Sequence, residues 1–402
     1  MTTQTHSTEL ARRIEPTGLN PHLPAGLDEA AVAEIGAELD TIRAEVMADL
    51  GAEDAAYIRS IIKLQRTLEL SSRAVLLFSI FPPAWIIGTI GLSLSKILEN
   101  MEIGHNVLHG QWDWMRDPKI HSSNWEWDAI TPAKQWQRSH NESHHVWTNV
   151  RGRDDDLGYG VMRVDEKQPW SLGFLIQPVT AALNATFFQY GIAAYDLQVG
   201  PYLKGEVDRE EFRHNARAVF AKLRRQVAKD YLVHPLLSGP GFLHTLAANA
   251  VANVVRNVWS NAVIICGHFP TGVQTFSEES LVGETRGRWY LRQMLGSANI
   301  SGGKVLHVLT GNLSHQIEHH LFPDMPSNRL GQIAPRVRAL FERHGLEYVT
   351  GPMHQQLGQV WAKIFRLALP NPEPGRSRLG VVAAAVRDRL RPAPALRTLP
   401  AV

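Results

Sequence analysis

The sequence predicts an all-α, integral-membrane helical protein whose cytoplasmic helical cap carries a histidine-box site for two metal ions. Long segments without charge, beginning with residues 74–95, are the first observation behind this prediction. The second is a mean hydropathy of −0.17, which is low for a membrane protein and predicts few spans with large aqueous portions. The third is that eight of the 18 histidines lie in three tight groups, within 105–109, 140–145 and 315–320.

The composition excludes several classes of protein. The net charge is +2, with 41 basic and 39 acidic residues, so nothing favours bulk binding of nucleic acid. The single cysteine, Cys266, excludes a disulfide framework and a thiolate zinc site. The polar start, Met1 to Leu27, lacks the basic region and apolar run of a cleavable signal peptide.

The chain divides into three predicted parts. Residues 1–52 form a polar N-terminal cap, with a helical pattern from Leu27 to Leu50. Residues 53–368 form the membrane domain that contains all three histidine groups. Residues 369–402 are rich in proline and arginine and are expected to be a mobile tail.

The clearest predicted membrane span is the uncharged stretch from Ala74 to Ser95. At about 1.5 Å per residue it reaches roughly 33 Å, enough for a hydrocarbon core of about 30 Å. Pro82 and Pro83 inside it predict a kink or a tight hairpin.

Two further stretches, 168–195 and 231–277, are almost uncharged. The histidine groups must share one side of the membrane, so an even number of spans separates the second from the third. Spans at 168–195 and 242–266 would put the basic block 204–230 outside, so we favour a helical hairpin over 231–267. The predicted location is the cell membrane, multi-pass, with the active site facing the cytoplasm.

Three histidine boxes carry the expected chemistry, and they read His105-Asn-Val-Leu-His109, His140-Asn-Glu-Ser-His144-His145 and His315-Gln-Ile-Glu-His319-His320. On a helix, residues four apart share a face, so each box presents two imidazoles in one direction. The additional histidines, His145 and His320, point about 100° further round, which suits a ligand to a neighbouring second ion. One such pair is a weak signal, but three groups together predict a metal centre.

The donor set and the expected reaction favour two iron ions. A structural zinc site closes at four ligands, usually with cysteine, so eight imidazoles without a thiolate indicate two ions. Imidazole suits several metals, but unactivated C–H bonds of a hydrophobic substrate require a metal that activates O₂. A ferritin-like site built on the ExxH sequences Glu102–His105 and Glu142–His145 would leave most box histidines without a role.

Two residues outside the boxes are further candidates. His268 ends the last apolar run, where a lone histidine is ordinarily a capping or interfacial residue. Asn261 precedes it by two helical turns on the same face and could add an oxygen, directly or through water.

The chain resembles the membrane fatty-acid desaturases over roughly residues 70–345. The resemblance rests on the three boxes in order and on Gly311 to Pro323 around the third. The segments Gly104 to Trp114 and Trp125 to Asp128 resemble the actinobacterial stearoyl-CoA Δ9-desaturase group most closely. The resemblance implies a di-iron centre, O₂ as oxidant, a kinked acyl tunnel, external electrons and His268 as a ninth ligand.

The chain departs from the simplest family pattern at the third box. That pattern has His or Gln three residues before the His-His pair, and Gln316 occupies this position here. Either His315 or Gln316 is therefore the first ligand of this box, and the other could orient a ligand. No His-Pro-Gly-Gly haem sequence or GxGxxG fingerprint occurs, so we expect an external NADPH-dependent or ferredoxin-type electron donor.

The expected partners are a long-chain acyl-CoA or acyl-lipid, O₂ and membrane lipid, with no nucleic acid. The candidate substrate contacts are Trp114, Trp136, Trp147, Arg138 and Arg151. The tryptophans would line the tunnel or form an interfacial belt, and the arginines would bind CoA phosphates or mark a cytoplasmic loop. The rival functions are a membrane di-iron hydroxylase of alkane or carotenoid type and, from another class, a membrane metal transporter.

Overall fold

The computed structural model describes residue 24 and residues 26–390, and helices predominate in them. The α-helices are α1 (Glu29–Ala48), α2 (Ala52–Leu76), α3 (Pro82–Leu98), α4 (Asn106–Leu108), α5 (Ala133–Ser139), α6 (His145–Trp147), α7 (Gln177–Thr186), α8 (Phe188–Asp196), α9 (Val199–Leu203), α10 (Arg209–Val227), α11 (His234–Leu237), α12 (Phe242–His268), α13 (Arg286–Leu295), α14 (Lys304–Leu309), α15 (Gln316–Leu321), α16 (Ser327–Arg343), α17 (Met353–Leu367) and α18 (Arg378–Leu390). π-Helical turns lie at Glu99–His105, His140–His144 and Ala228–Val233, and 3₁₀ turns at Asp113–Met115, Leu172–Ile176, Gly239–Gly241, Glu278–Leu281 and Leu313–His315.

One short parallel strand pair departs from the all-α prediction. Strand β1 (Asn299–Ser301) pairs with β2 (Thr350–Pro352), with Asn299 opposite Thr350. The pair lies directly before α14 and α17, so it fixes the chain on both sides of the third histidine box.

The largest apolar core joins α1 to the helices around the third box. Ile35, Leu39 and Ile42 of α1 recur at helical spacing, and all three are fully buried. They pack in one cluster with α13, α15 and α16, including Ile317 and Leu321. Asp28 begins α1 by accepting a hydrogen bond from Ala31 N at 2.8 Å. Helix α1 therefore supports the third box directly.

Helices α2, α3 and α12 form the second long assembly. Leu76, Leu92, Ala248 and Ala252 meet in a buried cluster between them. The close approach of α2 and α3 depends on Gly88, because a β-carbon there would lie only 2.6 Å from Leu76 Cγ. This assembly carries the first box, on the π-helical turn and the short helix α4 that continue α3, and His268 at the end of α12.

The membrane-spanning part of the predicted fold is wrong. Within the described ranges, every helix falls short of the length or the apolar character that crossing a membrane requires. The stretch 74–95 is divided, because α2 ends at Leu76 and Pro82 begins a new helix. The stretch 168–195 consists of a 3₁₀ turn and two short helices.

The predicted hairpin over 231–267 is also wrong. Most of it forms the single helix α12, whose buried side chains include Asn249, Asn253, Arg256 and Asn257. These polar side chains lower its apolar character. The predicted multi-pass location in the cell membrane, with the site facing the cytoplasm, is overturned by the same finding.

The predicted limits of the three chain parts stay predictions. Helix α1 lies inside the segment 27–50 where the sequence predicts a helix. Residues 1–23, 25 and 391–402, which belong to the predicted cap and tail, lie outside the described residues. The described part of the predicted tail contains helix α18.

Candidate metal centre

The histidine boxes lie at irregular turns of the helices. His105 ends one π-helical turn, and His140–His144 is itself another, closed by a hydrogen bond from His145 N to His140 O. Such turns are rare and are frequent at functional sites, because they redirect side chains relative to an α-helix. His319 and His320 lie on α15, and His268 is the last residue of α12.

These elements bring the imidazoles into two adjacent groups. One group contains His105, His109, His140 and His319, and the other contains His144, His268 and His320. Within each group, one nitrogen of every ring lies within 4.8 Å of the others. His145 lies between the groups, with its ring centroid 4.6 Å from that of His109 and 4.4 Å from that of His320.

The unsatisfied nitrogens of these rings fit a metal centre. Buried nitrogens without a hydrogen-bond partner include His109 Nε2, His140 Nε2 and both nitrogens of His145. Unpaired buried polar atoms are costly, so such a concentration of them favours a bound ligand. Burial and neighbouring histidines hold the pKa values of His109, His140, His145, His319 and His320 well below the ordinary value. The rings are therefore neutral, which is the state that binds a metal.

His144 differs from the other rings because a carboxylate faces it. Both oxygens of Asp154 lie 3.1 Å from His144 Nδ1, and the Asp154 side chain is fully buried. Burial lowers the pKa of His144, but Asp154 and Asp156 outweigh it and raise the pKa to about 9. With Nδ1 bonded to Asp154, Nε2 is the nitrogen that is left for a metal.

Hydrogen bonds from residues outside the two histidine groups fix the positions of the first and third boxes. The carboxylate of Glu102, one turn before His105, accepts hydrogen bonds from Tyr57 at 2.9 Å, Asn312 at 3.0 Å and Ser327 at 2.6 Å. Burial raises the pKa of Glu102 to about 7, although these hydrogen bonds oppose the rise.

The third box is fixed by the strand pair. Asn299 of β1 accepts from Ile317 N at 2.9 Å and donates to Glu318 at 2.8 Å. His320 Nδ1 lies 3.2 Å from Thr148 Oγ1 and 3.3 Å from Gln293 Oε1. These contacts limit the orientation of the box.

A cavity of about 70 Å³ adjoins both groups. Four histidines line it together with aromatic side chains, among them Trp127, Trp136 and Phe188. Trp136 stacks on His140 with ring centroids 4.3 Å apart. Polar residues, including Gln189, Arg256 and Asn257, complete the wall.

The two candidates for the first ligand of the third box, His315 and Gln316, lie in different surroundings. Helix α15 begins at Gln316, so His315 precedes the helix and does not share a face with His319. The His315 ring lies against His307, with centroids 4.7 Å apart, and belongs to neither group. Gln316 Nε2 lies 3.0 Å from His268 Nε2, and Gln316 Oε1 is buried without a partner.

The other predicted site residues lie outside the histidine groups, apart from Trp136. Asn261 is buried on α12, and no hydrogen bond to a histidine is present among the described residues. The ring of Trp147 contacts the guanidinium of Arg153, and Trp114 has a buried, unpaired Nε1. Arg138 donates to Asp196 O at 2.8 Å, and Arg151 pairs with Asp165 at 3.2 Å.

Sequence reasoning missed Asp154. It belongs to Asp154-Asp155-Asp156, a run that is typical of a solvated turn. The general rule that a metal-binding histidine donates its second nitrogen to a carboxylate is the signal that indicates it.

Comparison with known proteins decides the family. Residues 80–352 match the family described as Fatty acid desaturase. The chain belongs to this family. As a fatty acid desaturase family member it is an oxidoreductase, and its histidine groups are metal-binding groups.

Two relatives of this desaturase show how far the similarity extends. The NADPH-dependent stearoyl-CoA 9-desaturase of Mycobacterium tuberculosis is 49% identical over 351 residues, which cover 86% of this chain and 82% of the relative. The acyl-lipid 8-desaturase of Rebecca salina is 30% identical over 222 residues, covering 54% of this chain and 48% of the relative.

Proposed function

We propose that the chain introduces a cis double bond into a long acyl-CoA, at the Δ9 position, with O₂ and two electrons from an external NADPH-dependent donor. The observation that carries the proposal is the pair of histidine groups beside a cavity with aromatic walls. The 49% identical relative, a NADPH-dependent stearoyl-CoA 9-desaturase, supports the acyl carrier, the bond position and the source of electrons.

The donor set supports two iron ions in the centre. His105, His109, His140 and His319 would hold one ion, and His144, His268 and His320 the other, with His145 between them. More than four neutral imidazoles exceed the needs of a single tetrahedral ion. Bound iron would supply the O₂ chemistry that attack on an unactivated C–H bond requires.

The protein's own contribution is to hold the acyl chain against this centre. The overall reaction combines one O₂, two electrons and two protons with two hydrogens of the chain, giving one double bond and two waters. The aromatic side chains Trp127, Trp136 and Phe188 provide apolar contacts for methylene groups next to His140. Fixing one methylene pair in this way replaces a bimolecular encounter by a positioned one.

The domain prediction is compatible with this function. We propose residues 53–368 as the desaturase domain, and the family match over 80–352 lies inside these limits. The N-terminal cap, whose helix α1 packs against the third box, and the tail then flank the catalytic part.

Expression in a host whose own desaturase is deleted tests the proposal. Mass spectrometry of total fatty acids should reveal an unsaturated chain that is absent from cells carrying the His319→Ala variant. His319 is a suitable control because its ring is fully buried within the group of four. A hydroxylated chain, or equal unsaturation with the variant, would contradict the proposal.

A further inference from the structure

Helix α10 carries a row of arginines that the proposed chemistry does not use. Arg209, Arg213, Arg217, Arg224 and Arg225 are all exposed. Among the described residues, the helix forms only two ion pairs, from Lys222 to Glu126 and from Glu211 to Arg138, and neither involves these arginines. The chain as a whole has a net charge of only +2, so this row is a local excess of positive charge.

The arginines form one continuous surface. Arg209, Arg213, Arg217 and Arg224 follow each other at intervals of four or seven residues, which places them on one face of the helix. Over about 15 residues at 1.5 Å each, the row extends roughly 22 Å, the scale of a protein–protein contact. The opposite face is buried at Val219, which packs with Ile130 and Ala193.

The buried side of α10 lies against an aromatic path to the histidines. Lys222 Nζ donates to Trp127 O and Thr131 O, both at 3.0 Å. The ring of Trp127 lies 5.2 Å from that of Trp136, centroid to centroid. Trp136 in turn stacks on His140 at 4.3 Å and contacts His105 at 5.2 Å. Three close ring contacts therefore connect Trp127, whose backbone oxygen accepts from Lys222 of α10, to the group of four histidines.

We propose that the arginine row of α10 is the docking surface for an acidic electron-transfer protein, whose electrons reach the centre through Trp127 and Trp136. This inference rests on the proposed function, which consumes two electrons per double bond and must take them from outside. Opposite charge on the partner would steer the encounter and fix its orientation. The phosphates of CoA are the competing occupant of the row.

The test compares two pairs of exposed cations. The double variant Arg213→Glu, Arg217→Glu reverses the charge at the middle of the row. The matched control, Lys63→Glu with Arg66→Glu, reverses two exposed cations on α2. Circular dichroism and metal content should match the wild type in both variants, because the substituted side chains are exposed.

The probe is a reduced [2Fe–2S] ferredoxin with an acidic surface, mixed with stearoyl-CoA and O₂. We expect the row variant to raise the KM for ferredoxin by about tenfold or more at low ionic strength, with the control unchanged. The difference should shrink at 1 M salt, where the Debye length falls to about 3 Å. Deazariboflavin, a small uncharged mediator photoreduced with oxalate as the electron source, should reduce all three proteins equally without O₂, and each should then desaturate stearoyl-CoA to the same extent when O₂ is added.

The possible contrary results distinguish a failure of the docking surface from a failure of the proposed function. Unchanged ferredoxin kinetics in the row variant, or an equal loss with deazariboflavin, would overturn the docking surface. A raised KM for stearoyl-CoA with an unchanged KM for ferredoxin would assign the row to CoA phosphates instead. If the wild type oxidises ferredoxin in the salt-dependent way but makes no double bond, the proposed function fails while the docking surface stands.

Discussion

Replacing Asp154 by asparagine should weaken metal binding without unfolding the protein. The carboxylate faces His144 Nδ1 with both oxygens at 3.1 Å, and it also accepts from Asn149 N at 2.7 Å and Asp156 N at 3.0 Å. Asparagine keeps one acceptor oxygen but replaces the other by an NH₂ donor. If this donor faces His144, the ring must carry its proton on Nε2, the nitrogen needed by the metal.

The size of the effect follows from the hydrogen bond that is lost. A bond to a charged group contributes about 1.5–3 kcal/mol, and the Asp154 side chain is fully buried, so water cannot replace it. Loss of a carboxylate behind a metal-binding histidine ordinarily weakens the metal by about 10–100-fold, or roughly 1.4–2.7 kcal/mol. The two ranges agree, and we expect Asp154→Asn to lower the metal affinity by about 10–100-fold.

Competition for Fe²⁺ against a chromophoric chelator measures the affinity directly. Asp155→Asn is the matched control, because Asp155 is the exposed neighbour in the same turn. Thermal unfolding of the metal-free proteins separates a loss of affinity from a loss of fold. Metal affinity within twofold of the wild type in Asp154→Asn would refute the positioning role of this carboxylate.

Two further predictions concern the third box and the acid stability. His319→Ala should lose metal, because it removes a ring from the group of four, whereas His315→Ala should retain metal because its ring lies against His307; equal metal content in both, measured by emission spectroscopy, would contradict this assignment. Burial raises the pKa of Asp54, but hydrogen bonds from Arg329 and other donors outweigh it and lower the pKa to about 2. At a pH above the unfolded-state pKa of about 3.9, the lowered pKa of Asp54 in the folded state stabilises the protein. This stabilisation is lost as the pH falls towards 2. Asp54→Asn should therefore cost about 1–2 kcal/mol in urea unfolding at pH 7, after discounting for solvent screening, and less below pH 4; a cost that does not change with pH would contradict the pairing.

The sequence predicts the donor set better than the path of the chain. Histidines at a spacing of four mark the boxes, and the structure brings eight of the nine predicted rings together. The exception, His315, shows the limit of the spacing rule. Its pattern with His319 assumes a continuous helix, but α15 begins one residue later, at Gln316.

The failed membrane spans and the missed carboxylate have one common cause. Hydropathy and spacing describe neighbours along the chain, whereas helix ends and burial are decided by tertiary contacts. Pro82 could kink a long helix or begin a new one, and the structure has the second outcome. Asp154 looks like its exposed neighbour Asp155 in the sequence, and only the fold turns it towards His144.

In the proposed reaction this histidine centre removes two hydrogens from an acyl chain. The most direct measurement uses the purified, iron-loaded protein with stearoyl-CoA, O₂ and reduced ferredoxin, and determines the product by mass spectrometry. We expect an acyl chain lighter by two hydrogens, with one cis double bond formed for each O₂ consumed. An acyl chain that has gained an oxygen atom, or O₂ consumption that leaves the chain unchanged, would contradict it.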